Sequence, residues 1–279
     1  KEIPIQKGLK SDIDLSMFFE KKTFQEILSL RQYFIDRRSN KKNDHIDDWI
    51  QMVATNRLTG HSSGFFSVYT FPPNQAVSAK SQIRINEKRQ QTPEYRDTKK
   101  IILKKSKGLL RNLTEEQREN LKKAAKAAKF LNTPSNTTKT IKDNSVQLIV
   151  TSPPFLDIVQ YVEDNWMRCW FNNLDAEEIS SQISIPKDLT KWNEIMSDVL
   201  AELFRVTKSG GIVAFEVGEI RKGSIKLDEE IVPLGESHGF TTEFVMINTQ
   251  EFTKTSNIWG VKNNDSGTNT NRIVVFKKP

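Results

Sequence analysis

Apolar positions in the first half of the chain recur three and four apart. Phe24, Ile27, Leu28, Leu30 and Phe34 trace one face of an amphipathic helix over 22–38. Ile46, Trp49, Ile50 and Val53 trace a second helix, which Asp44 can cap. Thr114-Glu115-Glu116-Gln117 has the form of a capping box and opens a third, through about Phe130. Beyond residue 145 the pattern changes. Short β-branched runs, Val146 with Leu148-Ile149-Val150 and then Ile212 to Val217, alternate with helical periods over 161–171, 191–206 and 227–238. Two further runs, 240–248 and 271–276, predict strands joined by a polar loop.

Strands alternating with helices predict an α/β fold with a largely parallel sheet. The polar segment Asn132–Lys139 is the best linker candidate. The chain thus reads as a mainly helical region over 1–135 and an α/β region over 136–279. The run Leu148-Ile149-Val150 is unbroken by polar residues, so its strand is expected to be buried on both faces.

Charge adds a direction to this division. Residues 1–130 hold 27 Lys and Arg against 15 Asp and Glu, whereas the remainder carries an acidic surplus of five. A basic half joined to an acidic half points to a polyanionic partner for the first. Residues 78–111 concentrate Lys and Arg with few aromatics, which suits phosphate contact better than base stacking. Arg84, Lys88 and Arg89 are the candidates there. Arg57 precedes a stretch in which glycines, hydroxyls and aromatics interleave, Gly60 to Phe71. That mixture suits either a nucleic-acid-touching loop or a structured loop plugged by Phe65 and Phe66. No apolar run approaches the length of a membrane span, and the single cysteine, Cys169, excludes an internal disulfide. A reducing, cytoplasmic setting is expected, and three histidines with one cysteine make a structural zinc site unexpected.

The candidate chemistry sits at the end of the first strand, in Thr151-Ser152-Pro153-Pro154-Phe155. Two prolines cannot continue a ladder, and Pro154 holds Pro153 extended. A stiff turn at the carboxyl end of a strand is where ligands sit in open α/β sheets. The Ser152 hydroxyl and the Pro153 carbonyl can both accept from an exocyclic amino group, and Phe155 offers a face on which a base could stack.

The motif resembles the catalytic signature of the DNA amino-methyltransferases, (D/N/S)-P-P-(Y/F/W), which methylate cytosine N4 or adenine N6. The resemblance implies a Rossmann-like class I methyltransferase sheet, S-adenosylmethionine as cofactor, double-stranded DNA as partner, and Ser152, Pro153, Pro154 and Phe155 as catalytic residues. Serine at the first position leans toward cytosine N4. Thr151, Glu216 and Gly218 are the expected cofactor contacts.

One part of the family pattern has no counterpart. No Asp-Pro-Phe-x-Gly-x-Gly-like turn, the element that approaches the cofactor's methionine part, occurs in the sequence. Gly60 to Gly64 has the wrong spacing, and Ser209-Gly210-Gly211 precedes a strand instead of following one. The α/β region therefore reads as the catalytic half alone. The cofactor half is expected from an upstream segment or a second subunit. A degenerate, non-catalytic DNA-binding subunit is the alternative.

Overall fold

The computed structural model describes residues 1–279 except 72–75, 155, 157–160, 184–185, 187, 221–223 and 250–269. The chain divides into two compact units, Lys1–Ala127 with Gln160–Ile183, and Ala128–Val159 with Ser184–Pro279.

The first unit is helical. It contains α1 (Lys21–Ser39), α2 (His45–Thr55), α3 (Ala79–Arg89), α4 (Thr98–Leu110), α5 (Glu115–Ala127), α6 (Tyr161–Asn172) and α7 (Ala176–Gln182). The expected caps are present. Asp44 accepts from the Ile46 and Asp47 amides, and the Asp47 side chain accepts in turn from the Asp44 amide. Thr114 and Gln117 form the reciprocal pair ahead of α5. The core joins Phe18, Phe19, Ile27, Phe34, Leu58 and Phe66 to Met167 and Phe171 of α6. Each such side chain contributes about 1.5–3 kcal/mol on burial.

Residues 160–183 correct the sequence-based partition, which placed them with the α/β region. The reason lies in the α6 tryptophans, whose N–H groups must find acceptors once buried. Trp166 donates to the Ala76 carbonyl at 2.8 Å and Trp170 to Asp12 at 3.1 Å, while the Trp170 ring stacks on Phe24. Both tryptophans belong to the helical core.

The second unit is a mixed α/β layer. It contains β1 (Val146–Thr151), α8 (Leu189–Val206), β2 (Thr207–Ile220), the short β3 (Ile225–Lys226), α9 (Leu227–Ser237), β4 (Thr241–Thr249) and β5 (Thr270–Lys277). The sheet runs β1-β2-β5-β4, with β3 on the end of β2. β1 and β2 are parallel, whereas β5 is antiparallel to both β2 and β4. The expected α/β class is present, but the expected largely parallel sheet is not: among the described strands only β1 and β2 run parallel, because β4 and β5 return as an antiparallel pair and no further strand-helix-strand crossover is described.

One face of this sheet is covered. Val213, Phe215 and Val217 of β2 and Val274 and Phe276 of β5 pack against Trp192, Met196, Leu200 and Ile231 of α8 and α9. Gly235 lets α9 approach closely, because a Cβ there would lie 2.4 Å from the Phe276 ring. The other face is open. Register aligns Val150, Ala214, Val275 and Phe244 across four strands, with Ile273 and Met246 in the next row. Leu148 is 59 % exposed, Val150 74 % and Phe244 and Met246 each 52 %. The expectation that β1 is buried on both faces is therefore overturned. Among the described residues β1 is an edge strand paired only with β2, and half its side chains point to the open face.

The entry into β1 is stapled to the end of α8. Asn144 and Ser145 donate to the Arg205 and Val206 carbonyls, at 3.0 and 2.9 Å. The Arg205 side chain reaches the Thr138 and Ile141 carbonyls, Asp143 and Glu202. Glu202 in turn accepts from the Thr138 amide and hydroxyl. The Arg205 guanidinium, followed by these Thr138 donors, holds the Glu202 carboxylate down at about 2. A depressed carboxylate stabilises the fold fully above its unfolded value of about 4.3, and the contribution disappears as pH falls through about 2. Thermal melts of Glu202→Gln and wild type should accordingly differ at pH 6 and converge by pH 2. A constant difference across that range would show that Glu202 acts by shape alone.

No helix among the described residues is long and apolar enough to cross a membrane.

Candidate functional site

The Pro-Pro turn follows directly from the β1 ladder. Thr151 is the last paired residue, opposite Phe215 of β2, and Ser152-Pro153-Pro154 leaves the sheet at its carboxyl end. Ser152 is exposed, and its hydroxyl has no hydrogen-bond partner among the described residues. Pro153 and Pro154 are half-buried. The Pro154 carbonyl accepts from the Trp192 indole N–H at 3.0 Å. Leu156, fully buried in the sheet–helix core, anchors the far side of the turn. Phe155, the expected stacking residue, lies outside the described residues.

This geometry offers chemistry of one kind. A serine hydroxyl and a carbonyl oxygen stand on a backbone whose φ angles the prolines fix, beside a strand end open to ligand. Oxygen acceptors in a rigid frame can bind an amino group and draw its lone pair out of conjugation. The turn itself carries no cationic or thiol nucleophile. Among the described residues, no cluster of His, Cys, Asp and Glu is placed to hold a metal ion.

The expected cofactor contacts do not form a cradle. Thr151 shares the helix-covered side of the sheet with Phe215, whereas Glu216 and Gly218 fall on the alternate, open side, opposite Ile273 and Asn271. No glycine-rich turn follows any strand in the sequence. These residues alone do not fit S-adenosylmethionine.

At the same end of the sheet lies a buried ion pair that sequence reading missed. Arg272 of β5 donates to Asp228 of α9 at 2.9 Å, with Glu219 of β2 at 4.0 Å. Residues 44 apart in sequence gave no signal of this pairing.

The basic residues of the helical unit separate into two kinds. Lys80, Arg84 and Lys88 recur every fourth residue along α3 and are exposed, forming a positive stripe one helix face wide. Arg89 lies with its guanidinium carbon 3.8 Å from the centre of the Tyr69 ring, which stacks on Phe71. Arg57 is different. It is half-buried, 4.1 Å from the centre of the Phe65 ring, at the base of a loop closed by bonds from the Phe66 and Ser67 amides to the Arg57 and Leu58 carbonyls. Phe65 and Phe66 are buried, and a Cβ at Gly60 would lie 2.4 Å from the Phe65 ring. Of the two readings of this stretch, the loop plugged by its own aromatics describes residues 57–68.

Comparison with known proteins yields no matching family model and no matching curated protein. Among solved structures, a protein assigned as a DNA modification methylase from Thermus thermophilus shares 18% identity over 53% of this chain and 52% of its own, with a TM-score of 0.33. The form of that protein complexed with S-adenosyl-L-methionine gives 18% identity over 52% and 53%, with a TM-score of 0.31. A SAM-dependent methyltransferase from Methanosarcina mazei gives 11% over 59% and 78%, with a TM-score of 0.30. The chain spans about half the length of the Thermus protein. At these TM-scores the likenesses carry no weight beside the residues of the site.

Proposed function

We propose that this chain is the base-holding half of an S-adenosylmethionine-dependent DNA amino-methyltransferase, with cytosine N4 as the favoured target. The observation that carries the reading is the Ser152-Pro153-Pro154 turn at the carboxyl end of β1. A target base flipped out of the duplex would present its exocyclic amine to the Ser152 hydroxyl and the Pro153 carbonyl. The amine would lose a proton as it gains the methyl group, and its poor nucleophilicity is what two acceptors can relieve. Phe155 is the proposed stacking residue.

The cofactor-binding half is supplied by a segment or subunit carrying the glycine-rich turn. The uncovered edge of β1 supports this, since an exposed strand edge with apolar side chains beside it invites pairing with a further segment. Thr151, Glu216 and Gly218 would contact the cofactor only once that half is in place. The helical unit, with Arg57, Arg84, Lys88 and Arg89, is the proposed DNA-contacting, target-recognition region.

Incubation of the complete enzyme with DNA and methyl-labelled cofactor tests the assignment. Label recovered as N4-methylcytosine is the expected result. Label recovered as N6-methyladenine moves the assignment to the adenine enzymes. An enzyme that binds both cofactor and DNA yet transfers no label is a non-catalytic DNA-binding subunit.

The α3 stripe makes a separate expectation. Replacing Arg84, Lys88 and Arg89 with glutamine should weaken DNA binding equally on all sequences. It should also flatten the log–log salt dependence by about 0.9 for each phosphate no longer neutralised. An unchanged slope, measured by fluorescence anisotropy over a salt series, would make the stripe a solvated face.

A further inference from the structure

We infer that Trp192 is a positioning residue for the Pro-Pro turn, fixing it from behind through the indole N–H. The inference rests on the reading of Ser152 and Pro153 as amine acceptors. The two prolines have no amide protons, so the turn cannot lock itself through donors of its own at these positions. Its Pro154 carbonyl instead receives a donor from 38 residues further along the chain, the Trp192 N–H at 3.0 Å. Trp192 is 1 % exposed and is held on every side. Its amide donates to the Asp188 carbonyl at 3.0 Å, Asp188 caps the first turn of α8 through the Lys191 amide, and the ring packs in the cluster that contains Leu156, Phe215 and Val217. The contact therefore ties the turn to the rigid layer under the sheet. Ser152, on the other side of the prolines, stays exposed and free of partners among the described residues. The frame is pinned while the acceptor that meets substrate is left available.

The indole acts on no reacting atom. Its effect is on where the acceptors stand, and small displacements of positioned groups are costly to rate. Trp192→Phe keeps an aromatic ring and removes the donor. In the enzyme expressed from its full coding sequence, kcat should fall roughly tenfold, the equivalent of about one hydrogen bond of positioning, with KM for DNA unchanged. Incorporating 3-benzothienylalanine at 192, which keeps the shape and has sulfur in place of the N–H, should give the same loss without destabilisation. Met196→Ala removes a buried neighbour in the same cluster and is the control. It should lower the melting temperature at least as much while kcat is retained.

An unchanged kcat in both position-192 variants, with an active wild type, overturns the role of the N–H and leaves the methyltransferase reading standing. A kcat loss that tracks melting temperature across all three variants also overturns it, because Trp192 is then core and nothing more. A wild-type enzyme that binds cofactor and DNA but moves no methyl group overturns the reading and the role together.

Discussion

Ser152→Ala is expected to slow methyl transfer about 100-fold, the scale on which loss of one preorganised polar group in an active site is felt. The serine hydroxyl is the only side-chain acceptor in Ser152-Pro153-Pro154. Its removal leaves the Pro153 carbonyl to hold the amine alone. Ser152 is exposed and bonded to no described residue, so the substitution takes no hydrogen bond from the fold. Melting temperature and DNA affinity should therefore stay at wild-type values while the single-turnover rate collapses. That separation is the informative part, because a destabilised protein would lose all three. Methyl transfer at the wild-type rate would remove Ser152 from the site, and with it the leaning toward cytosine.

The second large effect concerns the open sheet. Residues 1–279 alone should give no heat with S-adenosylmethionine in calorimetry, because Thr151, Glu216 and Gly218 fall on opposite faces and no glycine-rich turn accompanies them. Binding should appear when a polypeptide carrying that turn is added. The same experiment has a hydrodynamic counterpart. Leu148 and Val150 on β1 and Phe244 and Met246 on β4 are exposed apolar side chains on the two outer strands of the open face. Such a surface associates with whatever covers it. Sedimentation should therefore show self-association of the isolated chain that the added half suppresses. A monomer that binds the cofactor at micromolar strength would show that the glycine-rich turn is dispensable, and the two-piece sheet would be withdrawn.

The helices were legible because their signals are local. The Phe24–Phe34 face, the Asp44 and Thr114 caps and the apolar face of 191–206 each lie within one element, and the structure places α1, α2, α5 and α8 within a few residues of those readings. The turn at 151–154 was legible for the same reason, since proline geometry is a property of the residues themselves. What the sequence hid was partnership. Leu148-Ile149-Val150 is as apolar as a central strand, but burial depends on what stands beside it, and β1 stands at an edge. Trp166 and Trp170 announce a buried face without saying whose. Trp192 is one apolar position among several in the helical period over 191–206. Its indole N–H, which must find an acceptor when buried, was the available hint, and the acceptor is a carbonyl 38 residues away.

The interleaving of the two units constrains how the protein can be made. The helical unit closes its core with Met167, Trp170 and Phe171, which the ribosome adds only after β1 and the Pro-Pro turn have been synthesised. Residues 1–127 leave the exit tunnel with the sites for those side chains unfilled, and cannot complete folding ahead of the rest. β1 in turn must wait for β2, which begins only at Thr207, before it has any ladder to join. Synthesis therefore passes through an interval in which both units are unfinished at once, with apolar surface from each in solvent. A gene fragment cut near residue 135 would lack part of the first core, whereas a fragment ending at 183 would contain all of it and leave β1 without its partner.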